Sequence, residues 1–115
     1  MGTGRITIPV LKVLSVFLSQ PSHDHYGLEV ARASGLPSGT VYPILARLER
    51  AGWLTSDWEN IDEAAEGRRR RRYYRLTTRG RAEASRVLDE ANRVATVPVA
   101  LLPVPRPPPV GKVFS

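Results

Sequence analysis

The stretch LPSGTVYPILARLERAG, residues 36–52, decides the fold. Val41, Ile44, Leu45 and Leu48 recur at i, i+3, i+4 and i+7, the spacing that gathers side chains on one side of an α-helix. At about 100° per residue, the opposite side carries Gly39, Thr40, Pro43, Ala46, Arg47 and Arg50. One side suits a core; the other is small, hydroxylated and cationic. Gly52 is placed to end the helix. Pro43 resists a helix interior, because it lacks a backbone N–H and its ring crowds the carbonyl one turn back. The helix therefore begins near Ser38 to Thr40 or bends at the proline.

Upstream, Val10, Leu11, Val13, Leu14, Phe17 and Leu18 repeat at helical spacing, so Pro9 to Ser19 reads as a first helix with Pro9 in its first turn. Gln20 to His25 reads as a loop or a very short strand. Tyr26 to Ser34 reads as a short second helix, closed by Gly35. Only Gly35 to Ser38 then separates the second helix from the third, the tight turn that a helix-turn-helix needs.

Downstream, Trp53 to Glu59 and Arg71 to Leu76 read as extended segments around the charged stretch Asn60 to Arg70, which makes a β-hairpin. Tyr74 and Leu76 share one strand face. Thr77 is a candidate N-cap for a last helix, whose apolar stripe is Val87, Leu88, Ala91, Val94 and Ala95. Pro98 stops it, and the proline-rich remainder reads as an extended or disordered tail. The expected architecture is mainly α with a small β-hairpin: a winged helix-turn-helix over residues 1–76, a dimerisation helix over 77–96 and a tail over 97–115.

The chain has 115 residues, enough for one modest core, and 17 Lys plus Arg against 11 Asp plus Glu, for a net charge of +6. Such a balance points to an anionic partner, duplex DNA first. All but Lys12 and Lys112 of these basic residues are Arg, which forks two donors onto a phosphate or a guanine edge. The absence of cysteine excludes disulfides, thiolate metal sites and a cysteine nucleophile. The apolar run Ile6 to Leu18 is broken by Thr7, Pro9, Lys12 and Ser15, too short for a membrane span, and no small-residue cleavage pattern follows it. A cytoplasmic location is expected, without a membrane partner.

Two basic features carry the functional reading. The hydroxyls of Ser38 and Thr40, the free amides at that helix start, and the longer Arg47 and Arg50 suit a nucleic acid approached by the helix N-terminal part. The run Arg68, Arg69, Arg70, Arg71 and Arg72 sits in the hairpin; in a strand, alternate arginines would face opposite ways and two or three would meet one DNA backbone or a narrow minor groove. Plainer readings stand beside these. Arg47 and Arg50 also suit a solvated face pairing with Glu49, Trp53 and Trp58 suit the hairpin core, and Asp57 to Glu66 suits a solvated acidic stretch. His23, Asp24 and His25 have no third ligand cluster, so no metal is expected. Neither a G-x-S-x-G elbow nor a phosphate loop occurs, so no enzyme and no cofactor is expected.

The strings Tyr26 to Arg32, Leu36 to Glu49, Ala51 to Leu54 and Arg72 to Thr77, with Gly80, closely resemble PadR-like transcriptional regulators over about residues 8 to 95. The G-T-x-Y-P-x-L-x-R-L-E pattern from Gly39 to Glu49 is highly specific. The resemblance implies a bacterial homodimer, usually a repressor, joined through its last helix and binding operator DNA through the third helix and the wing. It places Ser38, Gly39, Thr40, Tyr42, Pro43 and Arg47 on the recognition helix and its start, with Tyr42 open to a packing role in the turn as well. It also implies a small-molecule effector of unstated identity. Two features depart from the family pattern: the arginine run is denser, and the last helix lacks aromatic residues. The alternative is a protein-interaction module on the same scaffold, with the proline-rich tail as its docking peptide.

Overall fold

The computed structural model describes residues 6–94. Helix α1 spans Ile8–Ser19, with the Thr7 hydroxyl accepting from the Val10 N–H and Pro9 in the first turn. Strand β1 is His25–Tyr26, followed at once by α2, Gly27–Ser34. Helix α3 is Ser38–Arg50, β2 is Leu54–Trp58, α4 is the single turn Glu63–Glu66, β3 is Arg72–Leu76 and α5 is Thr78–Val94.

The four apolar residues of α3 are all buried, together with Val10, Val13, Leu14 and Phe17 of α1 and Val30 of α2. Trp53, Leu54, Tyr74, Leu76 and Ala84 close this core from the sheet and α5. Burying such side chains contributes about 1.5–3 kcal/mol each, which orients α3 firmly. Pro43 lies inside α3, yet the helix runs on through it from Ser38. The carbonyl deprived of its partner belongs to Gly39, in an exposed first turn open to solvent.

The sheet corrects the expected hairpin. It is three-stranded and antiparallel in the order β1-β3-β2, because His25 and Tyr26 pair with Tyr74 and Tyr73. Tyr26 is therefore a strand residue and not the first residue of a helix; the Glu29 carboxylate reaches back to its N–H. The stretch 60–70 is not a plain loop either. Asp62 accepts from the Ala64 and Ala65 N–H groups and so caps α4, which Gly67 ends at φ +71°.

The junction between wing and last helix is close. The Thr77 hydroxyl accepts from the Gly80 N–H at 2.9 Å and donates to the Gly52 carbonyl at 2.7 Å. A Cβ on Gly80 would lie 1.9 Å from the Trp53 carbonyl oxygen, so this approach of α5 to the start of β2 requires glycine.

Helix α5 lies against α1. Its stripe serves this chain's own core in part, since Val87 and Leu88 are half-buried against it. Ala91 is half-buried and Val94 is the last residue of the helix. Ala95 and the proline-rich tail lie outside the described residues. No helix among the described residues is long and apolar enough to cross a membrane.

Candidate nucleic-acid interface

The turn from α2 to α3 is built by Gly35, at φ +75°, and by the Leu36 N–H donating to the Ala31 carbonyl. It leads into α3 with Pro37 as its extended N-cap residue. On the outward side of α3, Ser38, Gly39, Tyr42, Pro43, Ala46 and Arg50 are exposed, while Thr40 and Arg47 are half-buried. Ser38 and Gly39 at the helix start therefore stand open to solvent. Tyr42 is 44% exposed, and its ring lies against Gly27, where a Cβ would be 2.5 Å from its Cε1 atom.

The wing is organised differently. Of the five arginines only Arg72 lies in a strand; Arg68 to Arg71 precede it. The expected alternation of arginines along a strand is thus incorrect, and a buried carboxylate is the reason. Glu59, 9% exposed, accepts from Arg68 Nη1 at 2.7 Å and Nη2 at 3.1 Å, from the Arg71 backbone N–H at 2.8 Å and from the Tyr26 hydroxyl at 3.0 Å. These donors hold its carboxyl down to about 2, the Arg68 fork most strongly, against the opposing effect of burial. The same fork raises the Arg68 pKa further. Burial, with the hydrogen bond to Glu59 adding, raises the Tyr26 hydroxyl.

The remaining arginines are anchored unequally. The Arg70 backbone N–H donates to the Glu63 carboxylate at 2.7 Å. Arg71 lies over the Tyr26 ring, 4.5 Å from its centroid. Arg72 reaches back to α3: its Nε donates to the Ser56 hydroxyl, which donates to Glu49 at 2.7 Å, and its Nη2 is 3.7 Å from that carboxylate. Arg69 is exposed and makes no ion pair among the described residues.

Glu59 is the residue that sequence reasoning missed, having been grouped with a solvated acidic stretch. Trp58 is a second correction. Unlike Trp53, which is buried, it is 49% exposed, with Arg72 over its ring at 5.4 Å. At the end of the hairpin it lies past the reach of the core. Together Tyr26, Leu28, Tyr42 and Trp58 line a groove of about 550 Å³ between the helix-turn-helix and the wing, with Arg71 and Arg72 alongside. The upstream histidine cluster is dispersed into structural contacts: His25 is buried beside Phe17, and Asp24 pairs with Arg75.

A helix-turn-helix with its second helix presented outward and a β-hairpin beside it defines a winged helix-turn-helix. The chain belongs to the transcriptional regulator PadR-like family, whose profile it matches over residues 13–86. Its fold is similar to that of a PadR family transcription regulator from Clostridium difficile, at 28% identity and a TM-score of 0.59, covering 74% of this chain and 90% of that one. It is also similar to the PcaV transcriptional regulator of Streptomyces coelicolor, solved with its natural ligand, at 27% identity and a TM-score of 0.65 over 84% of this chain. The present chain spans 62% of PcaV. The MepR–DNA complex of S. aureus shares the fold at 18% identity and a TM-score of 0.59, covering 78% of this chain and 68% of that one. No curated protein matches. The family, the Clostridium difficile protein and PcaV are transcription regulators.

Proposed function

We propose that this chain is a sequence-specific duplex DNA-binding repressor acting as a cytoplasmic homodimer. The observation that carries the reading is the exposed outward side of α3, small and hydroxylated at its start, beside an arginine-bearing wing. In this reading Ser38, Gly39, Thr40, Tyr42, Pro43, Arg47 and Arg50 meet the major groove and its flanking phosphates, the small residues letting the backbone come close. Arg69 to Arg72 meet the backbone or minor groove, while Arg68 is held back by its fork onto Glu59. The dimer forms through α5 and the stripe continuing to Ala95, and a small molecule of unstated identity modulates DNA binding. Support comes from family membership and, at the level of fold, from the MepR–DNA complex; for an effector it comes from PcaV, solved with a ligand.

Fluorescence anisotropy on the DNA flanking the protein's own gene tests this. Binding is expected to weaken steeply with salt, since each phosphate neutralised adds about 0.9 to the logarithmic slope. No binding at low salt to any duplex would sink it. Light scattering at micromolar concentration tests the dimer; a monomer there overturns that part.

A further inference from the structure

We infer that Glu49 is a positioning residue: without touching DNA itself, it fixes the aim of Arg72 through Ser56 and so sets the wing against the recognition helix. This role rests on the proposed function, in which Arg72 meets DNA. Glu49 lies about 40° around α3 from the buried Leu45, at the rim of the packed side. Strand β2 packs against this helix. Across the hairpin, Ser56 stands opposite Tyr74 and Trp58 opposite Arg72. Alternate residues of a strand share a face, so these four side chains meet on one side of the sheet.

The Ser56 hydroxyl is the hub. It donates its proton to Glu49 Oε2 at 2.7 Å and accepts from Arg72 Nε at 3.0 Å. Arg72 Nη2 stands 3.7 Å from the same carboxylate oxygen, and the guanidinium lies over the Trp58 ring, 5.4 Å from its centroid. Restraints from α3 and from β2 thus converge on a long side chain that would otherwise sample many rotamers. A guanidinium has five N–H donors, so Ser56 and Glu49 leave others for a phosphate. Arg69 offers the contrast: exposed and without an ion pair among the described residues, it supplies charge with no fixed direction. Contacts to phosphate set the orientation of a protein on the duplex, and reading of base edges depends on that orientation. A phosphate contact whose aim is tied to α3 therefore carries the setting of the recognition helix with it. A partly exposed ion pair adds little to stability, so the main effect of this linkage falls on recognition.

A double-mutant cycle on the full chain tests the role, by anisotropy on the DNA flanking the protein's own gene and on a scrambled duplex of the same composition. Glu49→Ala is expected to lower the ratio of the two affinities about tenfold, but less than about twofold where Arg72→Ala is already present. Ser56→Ala should lower it about fivefold, with the same dependence on Arg72. Glu49→Gln still accepts from Ser56 and should recover part of the loss. Without DNA, the Arg72 Nε–H should give a resolved NMR signal in the wild type and exchange faster with solvent in Glu49→Ala and Ser56→Ala. An unchanged ratio in Glu49→Ala, equal losses with and without Arg72, or a loss that merely follows the unfolding midpoint overturns the role. So does an Arg72 signal indifferent to Ser56→Ala. If no duplex binds the wild type, the proposed function falls and this role with it; if duplexes bind and the cycle is additive, the role alone falls.

Discussion

The outward side of α3 and the arginine run of the wing are both basic, but they are held in opposite ways. The α3 side chains stand on a helix whose other side is locked in the core, so their placement follows from helix periodicity. Four of the five wing arginines precede β3 in irregular chain and Arg72 begins it, and the placement of all but Arg69 follows from acidic partners: Glu59 for Arg68 and Arg71, Glu63 for Arg70, Glu49 for Arg72. A run of five arginines is therefore not five equivalent charges. Arg68 is partly spent inside the protein and Arg69 projects from it, so the wing meets an anion with fewer cations than the sequence contains.

Substitutions can break this contrast or sharpen it. Gly80→Ala should act most strongly, because the new methyl meets the Trp53 backbone; a loss of about 3 kcal/mol in chemical denaturation is expected. That loss would detach wing and α5 together, and an unchanged midpoint would contradict the close approach. On DNA, Arg47→Ala should cost about 1–3 kcal/mol on the preferred duplex and relax discrimination against altered sequences. Arg69→Ala should weaken all duplexes alike and lower the salt slope by about 1. Equal, sequence-independent losses from both would dissolve the distinction between helix and wing.

Glu59→Gln should separate order from charge. Freed of its carboxylate, Arg68 becomes available to phosphate, so the salt slope of DNA binding should steepen by about 0.9 even as thermal stability falls. The pH dependence has a definite sign. The folded-state carboxyl of Glu59 lies below its ordinary 4.5, at about 2, so its contribution to stability is present above 4.5 and is lost as pH falls through 2. The melting temperatures of wild type and Glu59→Gln should therefore differ near neutrality and converge at the acid end. Smallest of all, Arg70→Ala removes an exposed pair with Glu63 and should change stability by less than about 0.5 kcal/mol.

The readability of each region follows from the range of its interactions. The third helix, its buried face, the Thr77 cap and the Gly35 turn were legible because each depends on residues within about four positions. The three-stranded sheet was not, since His25 and Tyr26 pair with residues nearly fifty positions on. Trp58 carries the same signature as Trp53 in sequence, a tryptophan in a strand-like segment; only its position at the far end of the hairpin leaves it exposed. Glu59 gave no signal among its acidic neighbours, for its partners lie 9, 12 and 33 residues away.

What the sequence determined by itself is the two-sidedness of α3, the order of helices and wing, and membership of the PadR-like family. These rest on local periodicity and on a run of identities, both of which survive without coordinates. Tertiary structure alone decided which arginines are anchored, which tryptophan is buried and that three exposed apolar side chains from separate elements share one groove. Burial of a carboxylate or convergence of rings depends on segments distant in the chain arriving at one place, and no spacing rule along the chain encodes that arrival.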